Sequence, residues 1–376
     1  MESISKHGRY HGLGAAVGGR ILADLPIYAI TFPIFALCLY LLDSKGIAFG
    51  PSNVATNAQL YMVTCLAMLA ADCVRSLSRA RPDRPFAYLR DRYFARPWVE
   101  TKLQQVPILL VLIVFLPFFS AMKSAIPMFN NYTWDRTFIE IDRALFLGHD
   151  PWQLLQPVLG YPIITATLAF FYHLWFLLIY IGCLCFAFLP IDNGIRRRFV
   201  LTFLLAWAVI GGAMATALAS YGPCFVKPLM GFTDFDAQMS YLRAANEAYS
   251  VMTVPVQQML LDRLQASSQG LGSGITAMPS MHIAVAFTFY LASRNLSPRW
   301  GKAFLAFFIL IWISSVHLAY HYAIDGLVSV LAVSAIWTAT GWLFAWWDAL
   351  LEAHRLGQRT LWLPYPTFRT KTVPAE

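Results

Sequence analysis

The sequence predicts an all-α, polytopic membrane helix bundle of about eight transmembrane helices, with an active site at its outer face. Three observations predict it. Apolar residues make up 58% of the 376-residue chain and charged residues 13%, against roughly 25% charged in ordinary soluble proteins. The apolar residues come in long runs, most of them near the ~20 residues that cross a bilayer. Short basic segments separate the runs, as orientation signals do. A net charge of +8 would suggest nucleic acid as a partner in a soluble protein. Dispersed over short loops it argues for the bilayer and against nucleic acid.

Spans are expected at 21–42, 56–75, 103–122, 161–189, 199–220, 279–293, 301–316 and 320–347. The sixth is short for a crossing, which is tolerated where a helix end lines a cavity. The last two come from one run, Trp300 to Trp347, too long for a single helix. Ser314, Ser315, His317, Tyr320, His321 and Asp325 form the polar cluster in its middle. A turn near 316–319 is therefore expected, with His321 and Asp325 on the first turns of the eighth span.

Lysine and arginine counts set the orientation. Arg79, Arg81, Arg84, Arg90, Arg92, Arg96 and Lys102 lie between the second and third spans. Arg196, Arg197 and Arg198 follow the fourth, and Arg294, Arg299 and Lys302 the sixth. Lys6, Arg9 and Arg20 sit at one terminus; Arg355, Arg359, Arg369 and Lys371 sit at the other. Eight spans put all of them on one side, the cytoplasm. The short loops fit a bacterial inner membrane. No cleavable signal peptide is expected. The six cysteines form no C-x-x-C pair and read as small buried apolar residues.

The expected organisation is a three-span region over 1–122, a segment over 123–160, a five-span catalytic core over 161–350 and a cytoplasmic tail over 351–376. In the second segment Asp135, Arg136, Glu140, Asp142 and Arg143 mix with Ile139 and Leu145 at helical spacing. It reads as an interfacial amphipathic helix with Trp134 and Trp152 at headgroup depth. The core carries a long polar outer loop over 221–278, of a length that is usually functional or disordered.

Two elements carry chemistry. Residues 270–284 read Gly-Leu-Gly-Ser-Gly-Ile-Thr-Ala-Met-Pro-Ser-Met-His-Ile-Ala. Pro279 is expected at the first helical position, with free backbone N–H groups suited to an anion. Ser280 adds a hydroxyl and His282 follows. The plainer alternative is a helix cap beside a packed histidine. The second element is His321-Tyr322-Ala323-Ile324-Asp325. A spacing of four stacks imidazole and carboxylate on one helix face, and a carboxylate on one ring nitrogen leaves the other free for attack. A packing pair at a helix start is the alternative here. Ionisable groups at membrane depth favour function, and so does their meeting at one face.

Pro279-Ser280-Met281-His282, followed some forty residues later by His321-Tyr322-x-x-Asp325, resembles the second and third signature motifs of the type 2 phosphatidic acid phosphatase superfamily. Tyr322, the Tyr221-Gly222-Pro223 element and the stretch Leu145-Phe146-Leu147-Gly148-His149-Asp150-Pro151-Trp152 resemble the inositol phosphorylceramide synthase branch. The resemblance implies that His321 attacks phosphorus to form a phosphohistidine, that Asp325 orients it, and that His282 protonates the leaving alkoxide and then activates the acceptor. Ser280 and the helix start would hold the phosphate oxygens, and neither metal nor cofactor is implied. The donor would be a phospholipid and the acceptor a lipid alcohol or water.

The chain departs from the superfamily's first motif, a lysine seven residues before Arg-Pro. Arg81, Arg84 and Arg96 precede prolines, but Val74, Leu77 and Leu89 stand upstream. Ser315 replaces the arginine expected before the second histidine. Lys227, Arg243, Arg263 and His317 are the outer-side candidates for phosphate contact, and Tyr322 joins them as a substrate contact. Two other classes compete. His317, His321 and Asp325, spaced by four, resemble a metal chelate on one helix, for which insensitivity to EDTA is the discriminator. A transporter would need ionisable groups at several depths; His173 in the fourth span reads as a packed histidine, and His149 and His354 as surface residues.

Overall fold

The computed structural model describes residues 17–47, 49, 51–266 and 274–355. Lys6, Arg9, the glycine-rich 270–273, and Arg359, Arg369 and Lys371 lie outside the described residues. Among the described residues the chain is helical without strands. Seven helices are long and apolar enough to cross a membrane, and an eighth, Met281–Ser293, is apolar but 13 residues long. The chain is a multi-pass membrane protein.

In chain order the helices are α1 Leu25–Ser44, α2 Pro51–Ala80, α3 Pro85–Tyr93, α4 Arg96–Leu103 and α5 Val106–Ala125. Then come α6 Asp135–Leu145, α7 Pro151–Leu159, α8 Pro162–Phe188 and α9 Asn193–Leu205, whose path continues through a wider π-type stretch to Ala217. The segment expected as an outer loop holds α10 Val226–Met230, α11 Asp236–Ala248 and α12 Thr253–Gln265. The chain ends in α13 Met281–Ser293, α14 Pro298–His317 and α15 Ala323–Arg355.

Local chemistry places most of the starts. Proline occupies the first turn of α1, α5, α8 and α14, where its missing N–H costs nothing. Asp192 caps α9 by accepting from Ile195 N, and Ser297 caps α14 by accepting from Trp300 N. α13 spans about 20 Å at 1.5 Å per residue, short of the ~30 Å hydrocarbon core. It is viable because protein surrounds it: Ile283, Ala284, Val285 and Ala286 are fully buried, and a short helix at membrane depth is tolerated where protein encloses it.

A helix stands at each of the eight expected places, seven of them long enough to cross and α13 too short by length alone, with three differences in their surroundings. Arg196 and Arg197 were expected on a loop; they lie inside α9 and are buried. Arg196 donates to both oxygens of Asp24, at 2.7 and 2.8 Å, and to Gln105 Oε1 at 2.6 Å. Arg197 grips Asp348 and the Ala23 carbonyl. These bonds tie α1, α5, α9 and α15 together at the bundle end opposite the histidines. The second difference is the outer loop, which contains the three helices α10 to α12. The third is α6. It turns Asp135, Phe138, Ile139 and Asp142 inward, while Leu145 is exposed and Trp152 is buried. Ile139 and Leu145 therefore do not share a face, and Trp152 is not free for headgroups. The reason is chemical: the two carboxylates find backbone N–H donors inside, which buried polar groups require.

Breaking the buried pair at the far end is expected to destabilise the fold strongly. Arg196→Met leaves the enclosed Asp24 carboxylate with Arg20 as its remaining guanidinium and strips Gln105 of its donor, a loss on the order of 3 kcal/mol, the low end for a broken buried pair. Thermal unfolding in detergent should show it, while turnover per folded molecule stays near wild type.

Candidate active site

α14 ends at His317 and α15 starts at Ala323, and the turn between them carries the second histidine. Ala319 takes a left-handed conformation there, with φ of 61°, which lets the chain reverse. Its carbonyl accepts from Cys224 N at 2.9 Å. His321 precedes α15, whereas the spacing placed it on the helix. The expected pairing survives across the helix start: His321 Nδ1 lies 3.0 Å from Asp325 Oδ2.

One hydrogen bond fixes the chemistry of His321. Its Nδ1 also lies 2.9 Å from the Ala277 carbonyl oxygen. A carbonyl can only accept, so Nδ1 carries the proton and Nε2 keeps its lone pair. Ala277 is itself held by Ser220, whose carbonyl accepts from Ala277 N at 2.9 Å and whose hydroxyl accepts from Met278 N at 3.1 Å. Burial, and secondarily the positive charge of Lys123, pushes the His321 imidazole down to about 3. It is neutral at physiological pH, the form in which an imidazole nitrogen keeps its lone pair.

His282 faces it, with 6.1 Å between the ring centroids. The His282 ring is stacked between Tyr172 at 4.3 Å and Trp175 at 4.1 Å. Its carbonyl accepts from Trp175 Nε1 at 3.0 Å. Its Nε2 is buried without a hydrogen-bond partner among the described residues, and such a group calls for a ligand or water. Both histidines line a cavity of about 560 Å³. Its walls are mainly aromatic and aliphatic: Phe119, Tyr172, Trp175, Phe176 and Trp207 among them.

The first motif folds differently from expectation. Pro279 precedes the cap, and Ser280 is the cap, its hydroxyl accepting from Ile283 N. Ser280 is fully buried and does not line the cavity. The other expected phosphate contacts are also occupied elsewhere. His317 Nε2 lies 2.9 Å from the Thr165 hydroxyl. Tyr322 donates its hydroxyl to Asp135 at 2.8 Å. Lys227 pairs with Asp236 on an exposed surface, and Arg243 donates to Ser240. Arg263 lines a separate shallow depression on α12. None of the four arginine, lysine or histidine candidates borders the cavity that holds His282 and His321. His317, His321 and Asp325 do not converge as a chelate either; no cluster of three metal-binding side chains occurs among the described residues.

The cation that does border the cavity is Lys123, in the last turn of α5. It pairs with no described carboxylate. Sequence reasoning passed over it because the third span was ended at residue 122. A lone ionisable residue at the outer end of an apolar run was the available signal. His173 also reaches the cavity wall, with Nδ1 bonded to the Ala169 carbonyl at 2.7 Å.

Beneath the site, Asp135 and Asp142 hold backbone amides of the two turns that meet there. Burial pushes Asp142 up to about 7 and raises Asp135 as well, with the backbone donors pulling the other way.

A family model described as the PAP2 superfamily matches residues 136–339. The matched stretch contains Ser280, His282, His321 and Asp325, and Lys123 lies outside it. No curated protein and no solved structure matches the chain.

The His321 shift has a sign that can be measured. The group is depressed from 6.5 to about 3 in the folded protein, so between those values the unfolded chain binds the extra proton. Its contribution to stability is therefore complete above about pH 6.5 and lost as pH falls toward 3. Unfolding free energies of wild type and His321→Asn across pH 3–7 should diverge in that direction, with wild type losing more on acidification.

Proposed function

The chain belongs to the PAP2 superfamily of phosphatase-type lipid enzymes, and on that basis we propose a finer activity. It moves a phospho-headgroup, phosphoinositol-like in kind, from a phospholipid to a lipid alcohol through a phosphohistidine. The observation that carries this reading is a His321 ring held through Nδ1, 6.1 Å from the ring of His282, whose Nε2 has no described partner, with both in the wall of a mainly apolar cavity.

In the first step His321 Nε2 attacks phosphorus. The N–P bond forms as the P–O bond to the diacylglycerol oxygen breaks, and His282 passes a proton to that oxygen. In the second step His282 takes the proton of the acceptor hydroxyl. The acceptor oxygen bonds phosphorus and the N–P bond breaks, restoring His321. Asp325 keeps the imidazole oriented and offsets the charge it gains. Lys123 meets the non-bridging oxygens, in place of the expected clamp.

Transfer is favoured over hydrolysis by what encloses the site. Val256, Met259 and Leu260 of α12 lie along the cavity, and an acceptor other than water needs water kept out. The cavity also follows α8 from Tyr172 to Tyr180 and meets α2 at Leu60 and Thr64. That run is about 12 Å long at 1.5 Å per residue, close to the ~15 Å depth of half a ~30 Å core. Leu60 and Leu177 are also exposed on the bundle's outer surface, which supports hydrocarbon chains reaching the cavity from the bilayer. The basic end of the bundle lies opposite the histidines. This supports a site on the periplasmic or luminal face and cytoplasmic termini; a bacterial inner membrane as the location rests on the short loops alone.

Purified protein in vesicles with a headgroup-labelled phospholipid is expected to transfer the label to an added ceramide or diacylglycerol. Label appearing only as free phosphate or free headgroup, whether acceptor is present or absent, would favour the second reading, a lipid phosphate or polyprenyl diphosphate phosphatase using the same triad. His321→Ala and His282→Ala should each abolish turnover in folded protein. Lys123→Met should lower kcat/KM on the order of 100-fold, the scale of losing one charge-stabilising donor.

A further inference from the structure

α6 carries two buried carboxylates seven residues apart, hence two turns apart on one face. Asp135 is fully buried and Asp142 is 3% exposed. Asp142 accepts from Ala323 N at 2.7 Å and from Ile324 N at 2.9 Å. Those are the first amides of α15, which a helix start leaves without intrahelical partners. The residue before them, Tyr322, has no short side-chain oxygen to serve as a cap. A carboxylate from a distant helix serves instead. The next residue after Ile324 is Asp325, which holds His321.

Asp135 grips the same turn from another side. It accepts the Tyr322 hydroxyl at 2.8 Å, Tyr221 N at 2.9 Å and Gly222 N at 2.9 Å. Gly222 has φ of +90°, and a Cβ there would stand 2.7 Å from the Tyr320 carbonyl oxygen. The 221–224 turn is thus pressed directly against the backbone beside His321, and Cys224 N bonds Ala319. Neither carboxylate has a cationic partner among the described residues. Arg143, next to Asp142, is committed to Asp150 and Asp234. Asp135, Asp142 and Tyr322 are all absent from the cavity wall, so none is placed to touch substrate.

We infer that α6 is a two-carboxylate brace, in which Asp142, aided by Asp135, is a positioning residue that sets the geometry of the His321–Asp325 pair. The inference rests on the reading of His321 as the attacking group. Neither carboxylate takes part in the chemistry. Their effect is on where Nε2 stands relative to phosphorus, and a misplacement of about 1 Å costs up to roughly 100-fold in rate.

The test uses the full chain in vesicles and the labelled-phospholipid assay, with four variants beside wild type. Asp142→Asn keeps the side chain's size but puts an amide N–H₂ against one of the two backbone donors. It is expected to lower kcat on the order of tenfold or more while leaving KM unchanged. Asp150→Asn disturbs a buried carboxylate that contacts Arg143 and not the turn; it should lose stability and keep kcat within about twofold. Should Asp142→Asn fail to fold, Tyr322→Phe removes only the hydroxyl that reaches Asp135, and a several-fold fall in kcat at constant KM is expected. Wild-type kcat in the folded Asp142→Asn protein, or in Tyr322→Phe if that one carries the test, would overturn the brace. So would a fall in Asp150→Asn matching that in Asp142→Asn. His321→Ala separates the two readings: an active His321→Ala protein defeats the catalytic assignment itself, whereas an inactive one beside a fully active Asp142→Asn defeats the brace alone.

Discussion

A carbonyl oxygen cannot donate a hydrogen bond, and at Ala277 that constraint decides the state of His321. The imidazole must present Nδ1–H to it, so the lone pair lies on Nε2 whatever Asp325 does. Much of the histidine end of the bundle is arranged to keep Ala277 in place. Ser220 holds it through two hydrogen bonds, and Tyr132 bonds the Ile275 carbonyl two residues earlier. The short helix α13 begins directly after this segment, which puts His282 opposite His321. The tautomer, the spacing of the histidines and the start of α13 are therefore one coupled arrangement.

The two ends of the bundle handle charge in different ways. At the end opposite the histidines, Arg196 and Asp24 form a buried pair and Arg197 reaches the exposed Asp348, contacts that link helices far apart in sequence. At the histidine end Asp135 and Asp142 meet backbone N–H groups, and the cation in the cavity, Lys123, pairs with no described carboxylate. A carboxylate beside Lys123 would neutralise the field that an anionic substrate needs. Capping by amides satisfies Asp135 and Asp142 without supplying such a competitor or adding a charged side chain to the apolar cavity.

Several features were legible residue by residue. The apolar runs gave the crossings, because a bilayer of fixed thickness demands helices of near-fixed length. The overlong run from Trp300 to Trp347 required a turn, and the only polar cluster marked its place within a few residues. The spacing of four brought His321 to Asp325. The pairing tolerated the error that placed His321 on the helix, since a helix's first turn and the residue before it still project to one side. The phosphate contacts were not legible in the same way. Ser280, His317 and Tyr322 are polar residues near the motifs, yet each is consumed by a structural bond. Lys227 pairs with a neighbour only nine residues away.

The sequence by itself determined the membrane class, the places of the apolar helices and the pairing of His321 with Asp325, because these follow from hydropathy, helix length and local spacing. The tertiary structure decided which polar groups remain free. Whether a lysine or hydroxyl faces a cavity depends on partners that arrive from elsewhere in the chain: Asp135 reaches Tyr322 across 187 positions, and His321 reaches Ala277 across 44. Hydrogen bonds over such separations leave no period or spacing in the sequence. They exist only once the helices have packed.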